Sequence, residues 1–359
     1  MTTPLRYSEA ELLTEPDIAE PLVVAGRRCH GGFSSDGTYR SPRTAVRVPA
    51  IAAWQEAQRV TYGGELLEAP LDQWPAVYPS VAQSKFLLRH GVFEPLLTTL
   101  TRVGTIEGFG GLIREWGCGD VQQFVVEPIA DTALGHLQSG LFEAHARDET
   151  GFGGLAGHRD MWFAARDLAY GEALDADTAA GLLARSAAYG VGQAVAVEEA
   201  RAPEIAPALE SMLRRMIGLM FIEVSAFHTF AWAEELLADT DLVAGDGVAA
   251  TVVSYIRSDE TPHVEYLRTA LGELRTRTIR TVDGGTIAGG VVVDRLYSMA
   301  LAGGGQELDT NQLRTAFTYF KINMDIEKFI AEHDSDGSGQ LDYAEFATLF
   351  EDDVGESGP

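Results

Sequence analysis

The chain has 359 residues, enough for two or more domains that each bury a core. Apolar residues make up 46% and charged residues 22%, a balance that argues against wholesale disorder. Fifty-three acids against 27 bases leave a net charge of −26, which disfavours a binder of nucleic-acid phosphates or anionic membranes and suits a protein that holds cations.

The N-terminus, MTTPLRYSEAELLTEPDIAEPL, carries acids where a secretion signal would have a basic start and an apolar centre, so no signal is expected. Residues 1–80 mix short apolar runs with Gly, Pro and Ser and read as an irregular arm holding one or two helices, the clearest at 51–62. Cys29 and Cys118 are the only cysteines and are too far apart for a CxxC site, which points to a reducing, cytoplasmic setting.

From residue 81 the spacing predicts helices over about 84–116, 127–149, 158–171, 175–200, 204–238 and 247–277, with no convincing period-two alternation. The segment MIGLMFIEVSAFHTFAWA (216–233) is nearly apolar on every face yet carries Glu223 and His228. Such a helix either spans a membrane or forms the centre of a bundle. An ionisable group in either place is costly unless paired or bound to metal. No second span and no flanking basic cluster accompany it, so the bundle is the expected place. After Arg280, TVDGGTIAGG reads as a linker, and residues 322–359 hold eleven acids against one base, Lys328.

That acidic tail contains Asp334-Ser-Asp336-Gly-Ser338-Gly339-Gln340-Leu341-Asp342-Tyr-Ala-Glu345. A twelve-residue calcium loop needs oxygen ligands at positions 1, 3, 5, 7, 9 and 12, with Gly at 6 and an apolar residue at 8. Asp334, Asp336, Ser338, the Gln340 carbonyl, Asp342 and the bidentate Glu345 fill the ligand positions, and Gly339 and Leu341 the other two. The segment closely resembles the EF-hand family. Upstream, VVVDRLYSMAL, AGGGQELDTNQ and LRTAFTYF have the helix–loop–helix shape of a worn partner, with Gln312 where the bidentate Glu would stand. The resemblance implies one working Ca2+ site and one ion-free partner over 285–359.

The bundle has its own chemistry. Glu260-Thr-Pro-His263 places a carboxylate and an imidazole on one helix face. Ahead of it come Glu107, then EAHARDETGFGGLAGHRDMW with His145, Glu149 and His158, then Glu223. The separations of 42, 74 and 37 residues between the four glutamates resemble the ferritin-like di-iron carboxylate proteins, in which two helices each give a Glu and two others a Glu-x-x-His. A heme-oxygenase-like di-iron fold, without Glu107, is a close variant; a histidine one turn before Glu260 would suit it, and Ile256 stands there.

The resemblance implies a metal set of Glu107, Glu149, His158, Glu223, Glu260 and His263, with His145 as the alternate to His158. Two departures accompany it. His158 lies nine residues past Glu149, about 900° of regular helix and half a turn out of phase, so TGFGGL must loop out for it to join. Pro262 falls inside the Glu260–His263 pair, where a helix starting at the proline would exclude Glu260. His228, about 140° round the helix from Glu223, is expected in the core or behind the ligands.

The expected architecture is mostly α: an arm at 1–80, a ferritin-like or heme-oxygenase-like bundle with a di-metal site at 81–280, and an EF-hand pair at 285–359. Mixed oxygen and nitrogen ligation suits two Fe, or Mn with Fe. The implied activity is a non-heme di-iron oxygenase or oxidase that uses O2 on a small organic substrate, with electrons from a separate donor. The competing expectation is a calcium-binding regulatory or buffer protein whose helical domain is not catalytic. No nucleic-acid or membrane partner is expected, and a homodimer is left open.

Overall fold

The computed structural model describes residues 9–42, 46–64, 66–67, 79–188 and 201–304. The calcium loop and all six of its ligands lie outside these residues, as does the worn loop from 305 on; residues 302–304, expected to open that loop, are helical.

The described chain is mostly helical. The arm contributes α1 (Glu9–Leu12), a three-stranded antiparallel sheet of β1 (Glu20–Val24), β2 (Arg27–Phe33) and β3 (Tyr39–Arg40), and α2 (Arg47–Tyr62). There follow α3 (Val81–Arg89), α4 (Glu94–Gly108), α5 (Phe142–Thr150), α6 (His158–Tyr170), α7 (Ala176–Ala188), α8 (Pro207–Leu237) and α9 (Val248–Arg275). A hairpin of β4 (Thr278–Arg280) and β5 (Thr286–Ala288) leads into α10 (Gly289–Gly304).

Several boundaries differ from the sequence expectation. The expected helix at 84–116 is α3, a break at His90–Gly91, α4 and a 3-10 turn at Gly110–Glu115, because Gly91 takes the left-handed conformation (φ 74°). Only the last part of 127–149 is α-helical, preceded by short 3-10 and π turns over 134–141. The arm's sheet was missed because its longest strand, RRCHGGF, has two glycines and no alternating pattern. The linker expected after Arg280 is instead the β4–β5 hairpin, three residues a strand and too short to show a period. Helix α10 then sends Val292, Val293 and Leu296 into the bundle core, so the core runs past residue 280.

The apolar interior forms two clusters, and their boundary is the informative feature. One contains Trp54 of α2, Leu209 to Phe221 of α8, Tyr266 to Leu274 of α9 and Val292 to Leu296 of α10. The other contains Leu100 of α4, Trp162 of α6, Phe230 to Leu237 of α8 and Ala249 to Ile256 of α9. On α8 the first ends at Phe221 and the second resumes at Phe230; on α9 the gap falls between Ile256 and Tyr266. Glu223, Glu260 and His263 occupy those gaps. The bundle is thus two apolar blocks with a polar layer between them.

Helix α8 is long and apolar enough to cross a membrane by length and composition, and 61% of its most apolar stretch is buried inside the fold. A helix apolar all round satisfies itself here by being surrounded. Lower in the bundle, Glu273 is buried and accepts backbone N–H bonds from Ala133 (3.0 Å) and Leu134 (2.8 Å). Burial lifts its carboxyl to about 7 against the opposing pull of those two donors.

Candidate metal centre

Helix α5 ends at Thr150, and the chain loops out over 151–157 before α6 begins at His158. Phe152 and Leu155 exchange backbone hydrogen bonds across a tight turn, and Ala156 bonds to Arg28 and His30 of β2 on both sides. The loop therefore removes the phase error between Glu149 and His158, as the sequence required. Gly157 makes this fit: a Cβ there would lie 2.4–2.7 Å from the backbone of Gly151, Asp148 and Glu149. The second departure also resolves. Helix α9 runs continuously through Pro262, so Glu260 and His263 share one face of it, one turn apart.

The bundle brings all seven candidate residues together. His145, Glu149, His158, Glu223, Glu260 and His263 are each 5% exposed or less, and Glu107, at the end of α4, is half-buried. Three sets each hold ligand atoms within 4.8 Å of one another: Glu107–Glu149–His158–Glu260, Glu223–Glu260–His263 and His145–Glu149–His263. Glu149, Glu260 and His263 each belong to two sets. The choice between His145 and His158 dissolves, because both approach Glu149 Oε1 at 3.4 Å. His228 is half-buried on α8 and belongs to none of the sets.

Each imidazole shows one nitrogen to the carboxylates and has the other held from behind. His158 Nδ1 lies 2.8 Å from Glu260, and its Nε2 lies 3.3 Å from Asp259. His263 Nδ1 lies 2.5 Å from Glu260, and its Nε2 is 3.0 Å from Asp148, which Arg47 pairs at 2.6 Å. His145 Nε2 lies 3.2 Å from Glu223, and its Nδ1 is 2.9 Å from the Tyr266 hydroxyl. Rear partners of this kind fix ring orientation and tautomer in metal-ligating histidines.

The front atoms are left over. His145 Nε2, both oxygens of Glu149, His158 Nδ1 and Glu260 Oε1 are buried and make no well-formed hydrogen bond among the described residues. Buried polar atoms without partners cost roughly 1–3 kcal/mol each. Here five of them line the neighbouring His/Glu sets, where bound cations would satisfy them. The donor set fits a metal, and these buried clusters are able to hold one.

Electrostatics point the same way. Burial, then the charges of Glu260 and Glu149, push the Glu223 carboxyl well above the usual range; burial and Glu260 also raise Glu149. Burial would raise Glu260 too, but His263 and His158 hold it well below. Burial opposes protonation of His158 and His263, yet Glu260 and its neighbours outweigh it, lifting His158 well up and His263 to about 9. His145 is the exception. Burial and the charge of His263, stacked on it at 3.6 Å, keep it neutral. Without metal the layer is neutralised by protons.

Sequence reasoning missed the rear partners. Asp148 and Asp259 adjoin predicted ligands and could have been suspected from that alone. Arg47 and Tyr39 come from the arm, 101 and 220 residues from their partners, and no local pattern marks them. No protein-family model matches this chain, and no curated protein or solved structure matches it significantly.

Gly110 offers a clean test of the packing. A Cβ there would lie 2.3 Å from both Cβ and Cγ of Glu149, whereas one on Gly218, inside α8, would meet open space. Gly110→Ala is expected to displace Glu149 and weaken metal binding. Gly218→Ala is expected to keep metal binding and to gain roughly 0.5–1 kcal/mol of stability. Metal titration and thermal melting of the two variants check both.

Proposed function

We propose that the polar layer holds two divalent cations and that the protein is a non-heme di-iron, or Fe/Mn, oxygenase or oxidase of ferritin-like build. One position would use Glu107 and His158, the other Glu223 and His263 with His145 beside them. Glu149 and Glu260 would bridge. Four carboxylates balance two divalent charges, and Arg47 balances Asp148. The approach of Glu107 to Glu149, His158 and Glu260 favours the ferritin-like set over the heme-oxygenase-like one. Ile256 agrees, since it lies wholly in the apolar block.

When bound, such a pair of ions supplies the redox chemistry that lets O2 oxidise an organic substrate. The chain's own residues do the rest. Glu149 and Glu260 keep the two positions adjacent, Asp148, Asp259 and Tyr266 aim the imidazoles, and the two apolar blocks exclude water from the layer. A small-molecule substrate, O2 and a separate electron donor complete the reading, and the calcium loop at 334–345 adds a Ca2+ site. The single observation that carries it is the gathering, between two apolar cores, of buried His and Glu sets whose facing atoms make no well-formed hydrogen bond. A calcium-buffer role leaves that layer without a purpose.

The test is O2 consumption by protein loaded anaerobically with Fe(II), then mixed with air-saturated buffer. Rapid uptake in the wild type, absent from a Glu223→Ala/Glu260→Ala variant, is expected. Equal uptake in both would rule the proposal out.

A further inference from the structure

A cavity of about 380 Å³ opens where the arm meets the loop ahead of α6. That volume suits a small organic molecule. Its walls are mostly apolar: Ile18 of the arm, Phe152 and Leu155 of the loop, and the buried Cys29 of β2. None of the seven candidate metal ligands lines it. An occupant would therefore lie beside the metal layer and not in it.

Two charged side chains, Arg28 and Glu15, also line the cavity, and both are exposed at its open side. They do not pair with each other. The Arg28 guanidinium makes no ion pair or hydrogen bond among the described residues, and Glu15 Oε1 lies 4.0 Å from Nδ1 of the buried His30. A lone carboxylic acid entering here meets Arg28 but is repelled by Glu15, and a lone amine meets the reverse. A molecule with both charges satisfies both groups and leaves its apolar remainder for the walls, so the pair selects by repulsion as well as attraction. An α-amino acid with an apolar side chain has that chemistry.

The elements around the cavity are also those that place His158. Ala156 accepts from the His30 N–H at 3.0 Å and donates to the Arg28 carbonyl at 2.9 Å, which joins β2 to the loop. Arg27 pairs with Asp160 in the first turn of α6 at 3.0 Å. Arg147 of α5 lies 3.6 Å from the centre of the Phe152 ring, tying the loop back to the helix that carries His145 and Glu149. A molecule packed on Phe152 and Leu155 favours this arrangement of the loop over any other, and with it the approach of His158 to Glu149.

We propose that the cavity is an effector site for an α-amino acid with an apolar side chain, and that its occupant tightens metal binding by holding the loop at 151–157 in place; the second half rests on the di-metal reading above. No bond is made or broken in the bound molecule. The coupling is reciprocal, so metal tightens amino-acid binding by the same factor.

The test has two arms on the full-length chain. In the first, metal-free protein is titrated calorimetrically with L-phenylalanine and L-leucine, beside 3-phenylpropanoate and 2-phenylethylamine, which each keep the phenyl group and one of the two charges. Saturable binding of an amino acid, tighter than that of either single-charge analogue, is expected. Glu15→Gln and Arg28→Gln, confirmed as folded by circular dichroism, should each weaken it about fivefold. They should also exchange preference: Glu15→Gln gains affinity for 3-phenylpropanoate and Arg28→Gln for 2-phenylethylamine. No saturable binding of either amino acid, binding untouched by both substitutions, or equal affinity for 3-phenylpropanoate overturns the site.

In the second arm, Mn(II) is titrated with and without saturating amino acid, free Mn(II) being followed by EPR in excess Ca2+, which keeps the calcium loop out of the count. Tighter Mn(II) binding with the amino acid present is expected, with the gain lost in Arg28→Gln. Unchanged Mn(II) affinity overturns the link to the centre and leaves the site and the proposed function intact. Amino-acid binding by a chain that takes up neither Mn(II) nor Fe(II) overturns the proposed function and the link together.

Discussion

Glu260→Ala is expected to empty both metal positions, whereas Glu107→Ala is expected to empty one. Glu260 lies 2.8 Å from His158 and 2.5 Å from His263, and it belongs to both the Glu107 set and the Glu223 set. Its loss removes a shared ligand and also the charge that holds two imidazoles in place. Glu107 belongs to one set only and sits half-buried at its edge. Elemental analysis after anaerobic loading with Fe(II) or Mn(II) should give two ions in the wild type, one in Glu107→Ala and none in Glu260→Ala. Equal loss in both variants would contradict the assignment of Glu260 as the bridge.

The second large effect is on protons. Without metal, Glu149 and Glu223 are shifted toward the neutral acid, and His158 and His263 toward the charged imidazolium. Metal ligation needs the deprotonated form of all four. Loading two ions near neutral pH should therefore release roughly three to four protons per chain, and affinity should fall as pH falls. The sign is fixed by the direction of the shifts: protons compete wherever pH lies below the metal-free values, His263 at about 9 among them. Calorimetric titration in buffers of different ionisation enthalpy counts the protons directly. Release of none would show that the layer is already ionised and that the metal-free charge state described above is wrong.

The candidate ligands were more legible than the fold around them. A glutamate in an apolar helix signals itself, because burial of a charge needs a reason, and Glu223 needed no other clue. Glu260 and His263 were visible as a one-turn pair despite Pro262, since a proline within a packed helix need not end it. His158 was reachable because GFGGLAG cannot continue a helix, and a loop there restores the phase. The glycines' other service, letting Gly157 and Gly110 pack against the ends of the ligand segments, depends on distances that no spacing encodes.

The arm was the least legible part. Its strands are short and glycine-bearing, and its contributions, Arg47 behind Asp148 and Tyr39 behind Asp259, are set by contacts across more than a hundred residues. Local pattern reports which face of an element is buried. It does not report which distant side chain arrives at that face. Trp54 of α2 and Val292 of α10 share one core with α8 and α9, contacts across the expected boundaries that no local pattern marks.

The central claim is that two cations sit side by side in the polar layer. X-ray absorption spectroscopy on the iron- or manganese-loaded chain tests it most directly. The expected result is a metal–metal vector of about 3.5–4 Å with oxygen and nitrogen neighbours. A single ion per chain, or two ions without a short vector between them, would contradict the account.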